Sequence, residues 1–227
     1  MLLALVAIVV VFVILPTYAP TVSAKSIVRG TQVTTGDALL LLNQTDYALT
    51  MYDSALAMNA SDPEILKKKG EVLIKCGRTQ DAEQLYQQVL SQNGNDTAAL
   101  VRKGDTLYQQ GNLTGALSCY DIAISIKPDD AKTWLRKGDA YLMMSIDEQQ
   151  KLHTIAKGLS KQPGTQDYHP VSAEQIQSMD SYQKAVESYQ KAMEIDPKLS
   201  VVVSTRILGA TQNQVNSYQS LMNDVQS

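Results

Sequence analysis

Apolar residues recur along the chain at steps of three and four, in blocks separated by short polar turns. In "LVRKGDTLY" (100–108), Leu100, Leu107 and Tyr108 frame a charged centre, and Trp134, Leu135, Tyr141 and Leu142 do the same in "WLRKGDAYL" (134–142). That spacing predicts amphipathic helices and not strands. About seven residues after each central glycine a turn signal follows: "NQTD" at 43–46, "CGRT" at 76–79 and "QGNLT" at 110–114. A second helical pattern then carries small and aromatic residues at steps of four and three, which places them on one face.

The pattern has a fixed period. Gly36, Gly70, Gly104 and Gly138 are spaced by 34 residues. Twelve residues after the first three come Ala48, Ala82 and Ala116, four further come Tyr52, Tyr86 and Tyr120, and three beyond those stand Ala55, Val89 and Ala123. The fourth unit ends the same way, with Ala185, Tyr189, Ala192 and Pro197, and Pro128 closes the third. A period of this size marks helix–turn–helix hairpins that stack and bury their apolar faces against their neighbours. Small residues let helix axes approach to the near end of the usual ~8–10 Å, and the tyrosine fills the space alongside. These glycines, alanines and tyrosines, with Trp134 and Tyr141, are the expected packing positions of the repeat.

On Trp134, Gly138, Tyr141, Ala185, Tyr189, Ala192 and Pro197 in the last unit, and Gly104, Ala116, Tyr120, Ala123 and Pro128 in the third, the chain resembles the tetratricopeptide repeat (TPR) family. The resemblance covers about residues 28–200. It implies an all-α fold, a right-handed α-α superhelix of about four helix-turn-helix units. The solenoid is expected over 25–197, with units at about 29–62, 63–96, 97–130 and 131–197, and a C-terminal capping region over 198–227. Three departures stand out. Lys69, Lys103 and Lys137 precede the glycines where the family has an apolar residue, Gly94 replaces the closing proline of unit two, and Gln32 and Thr35 predict a short first helix. The last unit is also interrupted, since 47 residues and not 12 separate Gly138 from Ala185. That insertion, about 145–180, reads as a long helical hairpin whose return arm starts at Ser172, the expected N-cap, with Glu174 and Gln175 in the first turn. Val215, Tyr218, Met222 and Val225 form the expected buried stripe of the cap.

Charge excludes one class of partner. With 20 Lys+Arg against 23 Asp+Glu, net −3, no basic face is implied and no nucleic acid is expected to bind. The N-terminus points to export. Met1–Leu15 contains no polar residue, a run shorter than the ~20 residues of a membrane span. Residues 1–24 are therefore expected to be a signal peptide cut after Ala24, or an N-terminal membrane anchor if retained. Four of the eight asparagines, Asn43, Asn59, Asn95 and Asn112, stand in N-x-[ST] sequons, against about one by chance, which fits a secreted or cell-surface chain carrying N-glycans. Cys76 and Cys119 permit a disulfide and equally suit small apolar filling positions.

Candidate chemistry is sparse. The two histidines, His153 and His169, lie sixteen residues apart without a nearby Cys ligand, so no metal site is expected. Neither cysteine has the surroundings of a thiol nucleophile, and no phosphate-binding glycine loop is present. No cofactor is called for, and the chain is expected not to be an enzyme. The TPR resemblance implies protein binding in a concave groove lined by the first helix of each unit. Carried onto this chain, the groove includes Asp37, Glu71, Asp105 and Asp139, each directly after a glycine. Three residues before the glycines stand Lys67, Val101 and Leu135, and four after them Leu40, Ile74, Tyr108 and Leu142. Acids occupy the place of the asparagine that family members use to clamp a C-terminal carboxylate, which weighs against such a clamp. The acids also have local partners: Lys68–Glu71, Arg102–Asp105 and Arg136–Asp139 at i,i+3 support their own helices by about 0.2–0.5 kcal/mol each. Two readings of function follow. One is a scaffold that binds another protein or peptide in the groove. The other is a self-assembling structural subunit, a homo-oligomer or filament or layer at the cell surface, because solenoid ends stack unless capped.

Overall fold

A computed structural model describes residues 24–159, 180–210 and 212, and these are helices joined by short turns, without a strand. They fall into two compact units divided after Arg78. The first unit holds α1 (Ala24–Leu41), α2 (Thr45–Leu56) and α3 (Pro63–Lys75). Helix α1 is not short: it runs for 18 residues through Gln32 and Thr35. The Thr34 and Thr35 hydroxyls return to the Thr31 carbonyl at 3.0 and 2.7 Å, so these weak helix formers meet their hydrogen-bond needs inside the helix. Asp62 caps α3 by accepting from the Glu64 and Ile65 amides, ahead of Pro63 in the first turn. Ala48, Tyr52, Ala55, Ile65 and Val72 form the core of this unit, with Val33, Leu39 and Leu40 packed around it.

The second unit holds α4 (Thr79–Gln92), α5 (Thr97–Gln109), α6 (Leu113–Ile126), α7 (Ala131–Leu159) and α8 (Asp180–Ile195), then a 3-10 turn at Pro197–Leu199 and a last helix, α9, over 200–210. Asp96 caps α5 through the Ala99 amide and Asn112 caps α6 through the Gly115 amide. One buried cluster joins Leu107, Ala116, Tyr120 and Ala140, and a second joins Ala185, Tyr189 and Val203. Cys76, exposed in the first unit, and Cys119, buried in the second, are both free thiols.

A left-handed residue ends the first helix of each regular hairpin. Asn43, Gly77 and Gly111 adopt φ of 58°, 75° and 78°. In each case the next residue's amide reaches back to close the turn, as from Gln44 to Leu39 O and from Asn112 to Leu107 O, both 2.9 Å. These positions are themselves 34 residues apart, and the next in the series is Ser145. Serine does not favour that conformation, and Ser145 instead stays helical and buried, its hydroxyl donating to Leu142 O at 2.8 Å. Helix α7 therefore continues to Leu159, for 29 residues. It meets α8 where the Ser181 hydroxyl donates to Glu148 at 2.9 Å. Residues 1–23, the return arm of the expected hairpin with Ser172, Glu174, Gln175 and His169, and the stripe from Val215 to Val225 lie outside the described residues. No described helix is long and apolar enough to cross a membrane.

Candidate binding wall

The wall is built from the glycine outward. At Gly138 a Cβ atom would lie 2.5 Å from Tyr189 Cδ1 and Cε1, and at Gly104 it would lie 2.5 Å from Tyr120 Cε1. At Gly36 the nearest atom is Tyr52 Cε1 at 2.9 Å. The missing side chain is thus the space the ring occupies. Tyr52, Tyr120 and Tyr189 are at most 1 % exposed, and each reaches past its glycine to the following carboxylate. Tyr52 donates to Asp37 at 2.6 Å, Tyr120 to Asp105 at 2.9 Å and Tyr189 to Asp139 at 2.8 Å.

Each of these carboxylates then receives a base from a later helix. Lys68 Nζ donates to both Asp37 oxygens at 2.9 and 2.8 Å. Arg136 Nε donates to Asp105 at 2.7 Å, and one Arg206 nitrogen donates to both Asp139 oxygens at 2.6 Å. The pairing expected along single helices is corrected here. Arg136 serves Asp105 and not Asp139, and Lys68 serves Asp37, because neighbouring helices bring residues 31 apart into line. Of the expected local pairs, Arg102–Asp105 is present at 3.8 Å. Glycine, tyrosine, acid and base make a rung that closes on itself with no net charge.

Burial sets the proton affinities. It pushes the Tyr52, Tyr120 and Tyr189 phenols far above their ordinary value, and the carboxylate each one faces pushes the same way, so they remain donors. Asp37 and Asp139 diverge. Burial acts to raise both, but at Asp37 the hydrogen bonds from Lys68 and Tyr52 win and its carboxyl is held below the usual value. At Asp139 burial outweighs the Tyr189 hydrogen bond and the Arg206 charge, and the carboxyl is raised.

Beside the last rung lies a pocket of about 400 Å³ between α5, α7 and α9. Its apolar lining is Leu142, Met143, Ile146 and Ala210, with Thr205 and Gly209 on the α9 side and Tyr108 opposite. The Tyr108 hydroxyl has no hydrogen-bond partner among the described residues, and burial raises its proton affinity. The charges at the edge, Asp139 and Arg206, are already spent on each other. Such a site suits an uncharged apolar side chain with an acceptor placed for the phenol. Among the described residues no group of three or more His, Cys, Asp or Glu is placed to hold a metal ion.

Three family models match the chain in succession: a tetratricopeptide repeat at 39–102, a TPR repeat at 104–145 and a tetratricopeptide repeat at 177–199. The chain belongs to the tetratricopeptide repeat family. Solved TPR solenoids share its fold. A crystal structure of MamA superposes with a TM-score of 0.57 at 16 % identity, covering 83 % of this chain and 92 % of that one. MamA from Desulfovibrio magneticus RS-1 gives 0.57 at 19 % identity, with 88 % and 95 % covered. No curated protein matches the chain.

Within this TPR frame the positions expected to line a groove take different places. Tyr108, Asp139 and Leu142 meet at the pocket. Leu135 packs on the Ala185–Tyr189–Val203 core and Leu40 on the core of the first unit. Asp37 and Asp105 are held in rungs, and Lys67 pairs with Glu64 at 2.6 Å. Val101, Glu71 and Ile74 are half-buried. The packing positions Ala48, Ala82, Ala116, Ala185 and Tyr86 are fully buried and Gly70 is buried, whereas Trp134 and Tyr141 are half-buried. Trp134 donates its indole N–H to Pro128 O at 2.9 Å, and Lys137 lies over both rings at 5.2 and 5.8 Å. Sequence reasoning missed Met143, Ile146, Thr205 and Arg206. A signal for Arg206 was present: Lys68, Arg102 and Arg136 each follow a repeat tyrosine by sixteen residues, and Arg206 follows Tyr189 by seventeen.

Proposed function

We propose that this TPR protein is a non-catalytic interaction scaffold that holds a partner polypeptide at the α5–α7–α9 pocket. The observation that carries the reading is the closure of the rungs. With Asp105 and Asp139 already neutralised by Arg136 and Arg206, the pocket offers a guest the side chains of Leu142, Met143, Ile146 and Ala210 and one unpartnered phenol. The partner is therefore a peptide or protein segment with an uncharged apolar anchor, and charge plays little part in its choice. The fully apolar run Met1–Leu15 and the four sequons, each with an exposed asparagine, support an exported or membrane-tethered chain that carries glycans. A random peptide library displayed against the full-length chain tests the binding reading. Enriched peptides should share an apolar residue at one fixed position and no fixed charge. A consensus built on Lys/Arg or on Asp/Glu contradicts it, as does a failure to enrich.

A second reading, self-assembly, is favoured by one observation: α9 leaves Val201, Val202 and Leu208 74, 40 and 67 % exposed. Analytical ultracentrifugation across a hundredfold range of concentration decides between them. A concentration-dependent rise in mass that V201E/L208E abolishes supports assembly, and a constant monomer mass removes it.

A further inference from the structure

The four sequon asparagines are all exposed, but their side chains are not equally available. Asn112 is the N-cap of α6, its Oδ1 accepting from the Gly115 amide at 3.0 Å and from the Thr114 hydroxyl at 3.3 Å. Asn59 accepts from the Ser61 amide at 3.4 Å. In the Asn95 sequon the middle residue, Asp96, is the N-cap of α5, so that segment is fixed and places a carboxylate beside the acceptor. Asn43 differs on each point. Its side-chain amide has no hydrogen bond among the described residues, and Gln44, which follows it, makes no side-chain cap to α2. Asn43 also stands where Gly77 and Gly111 stand in the later turns, at a left-handed φ that its side chain is not needed to hold. Reshaping this tip in a transferase costs no side-chain hydrogen bond, whereas at Asn112 it costs a helix cap.

Leu41, Leu42 and Tyr47 are 89, 69 and 66 % exposed. Singly exposed apolar residues need no explanation, but three within seven residues make a patch at one hairpin tip, and Asn43 is in its middle. We propose that Asn43 is the preferred acceptor of an N-linked glycan, which covers the Leu41–Leu42–Tyr47 tip. The inference rests on the reading of the chain as exported. The donor class is an oligosaccharide linked through its anomeric carbon to a polyprenyl phosphate. Asn43 Nδ2 attacks that carbon, a C–N bond forms and the C–O bond to phosphate breaks. The lipid phosphate leaves with the bonding pair, and the proton lost from nitrogen ends on it. No atom changes oxidation state.

The test is to synthesise the full-length chain with glycosylation-competent membrane vesicles, once behind its own residues 1–24 and once behind a heterologous cleaved signal. Intact mass before and after a glycan-releasing amidase counts the glycans. One glycan should disappear in T45A and in N43G, which keeps the left-handed turn, and persist in S61A, T97A and T114A. Modification behind the heterologous signal alone refutes export by residues 1–24 and leaves the site assignment standing. An Asn43 that stays bare behind the heterologous signal, or a glycan count unchanged in both T45A and N43G, overturns the assignment. Covering is read with a hydrophobic-surface dye, whose fluorescence should be several-fold lower on the glycosylated chain than on N43G. Equal fluorescence overturns that part.

Discussion

Gly138→Ala tests the logic of the rung at one atom. The added methyl would sit 2.5 Å from two carbons of the Tyr189 ring, where ordinary contact begins near 3.4 Å. Ring or helix must therefore move by about 1 Å. The ring has nowhere to go: Tyr189 is 1 % exposed and its hydroxyl is held at 2.8 Å by Asp139, which Arg206 also holds. Overpacking of this kind costs about 1–3 kcal/mol, and the size of the clash puts it near the upper end. Alanine's helix preference returns about 1 kcal/mol, so the net loss is about 2 kcal/mol. Gly30→Ala and Gly209→Ala supply the controls, because nothing lies within 4 Å of either added carbon. They should gain about 0.5–1 kcal/mol. Urea unfolding followed by circular dichroism at 222 nm gives the order. For a chain of this length the melting temperature of G138A should fall by about 4–8 °C. If G138A proves as stable as G30A, the glycine is not there to make room for the ring.

Three further outcomes follow from the same geometry. Asp37 and Asp139 shift in opposite directions from the ordinary value near 3.8, so their linkage to folding has opposite signs. As pH falls from neutral, Asp139 takes up its proton above pH 3.8 and folding gains from it; Asp37 keeps its charge below 3.8, and its stabilisation is lost only as pH drops through that lowered value. Carboxyl carbon NMR titration reads both, and Asp37 protonating before Asp139 would reverse the account. Arg206→Ala leaves Asp139 with the Tyr189 hydrogen bond and the more distant Arg136 charge; after discounting for the exposure of Arg206, about 1 kcal/mol is lost. Amide exchange over 200–210 should quicken several-fold while α1–α3 stay unchanged, and uniform exchange across the chain would show that Arg206 does not pin α9. Gly111→Ala should cost about 1 kcal/mol by backbone strain alone, as nothing lies within 4 Å of the added carbon. A neutral G111A in urea unfolding would remove the left-handed turn from the explanation.

The fold was legible because its determinants are local and repeated. Gly104, Ala116 and Tyr120 lie close in sequence, and their spacing alone places them on facing helix surfaces. The rungs were legible only in part. Reading Arg136 with Asp139 follows from one helix seen in isolation, but Arg136 bonds to Asp105, 31 residues away, through the stacking of successive units. The last rung was obscured by the insertion, which puts 67 residues between Asp139 and Arg206 and shifts the base by one position relative to Tyr189. Ser145 is instructive for the same reason. Its place in the 34-residue series marks the missing turn, yet reading it so requires knowing that Asn43, Gly77 and Gly111 share a left-handed φ. The pocket was the least legible feature, because α9 supplies Thr205 and Ala210 from outside the repeat pattern.

If the pocket beside the last rung holds the partner, Met143 is an exposed apolar handle on it, at 41 % exposure. Ile122 on α6, 45 % exposed and not part of the pocket lining, is the matched control. The deciding measurement is the Kd of one selected peptide for the wild-type chain, M143E and I122E, by titration calorimetry. M143E should bind with at least a tenfold weaker Kd, about 1.4 kcal/mol or more, and I122E with an unchanged Kd. Equal affinity for M143E and wild type, with both chains equally helical, would contradict it.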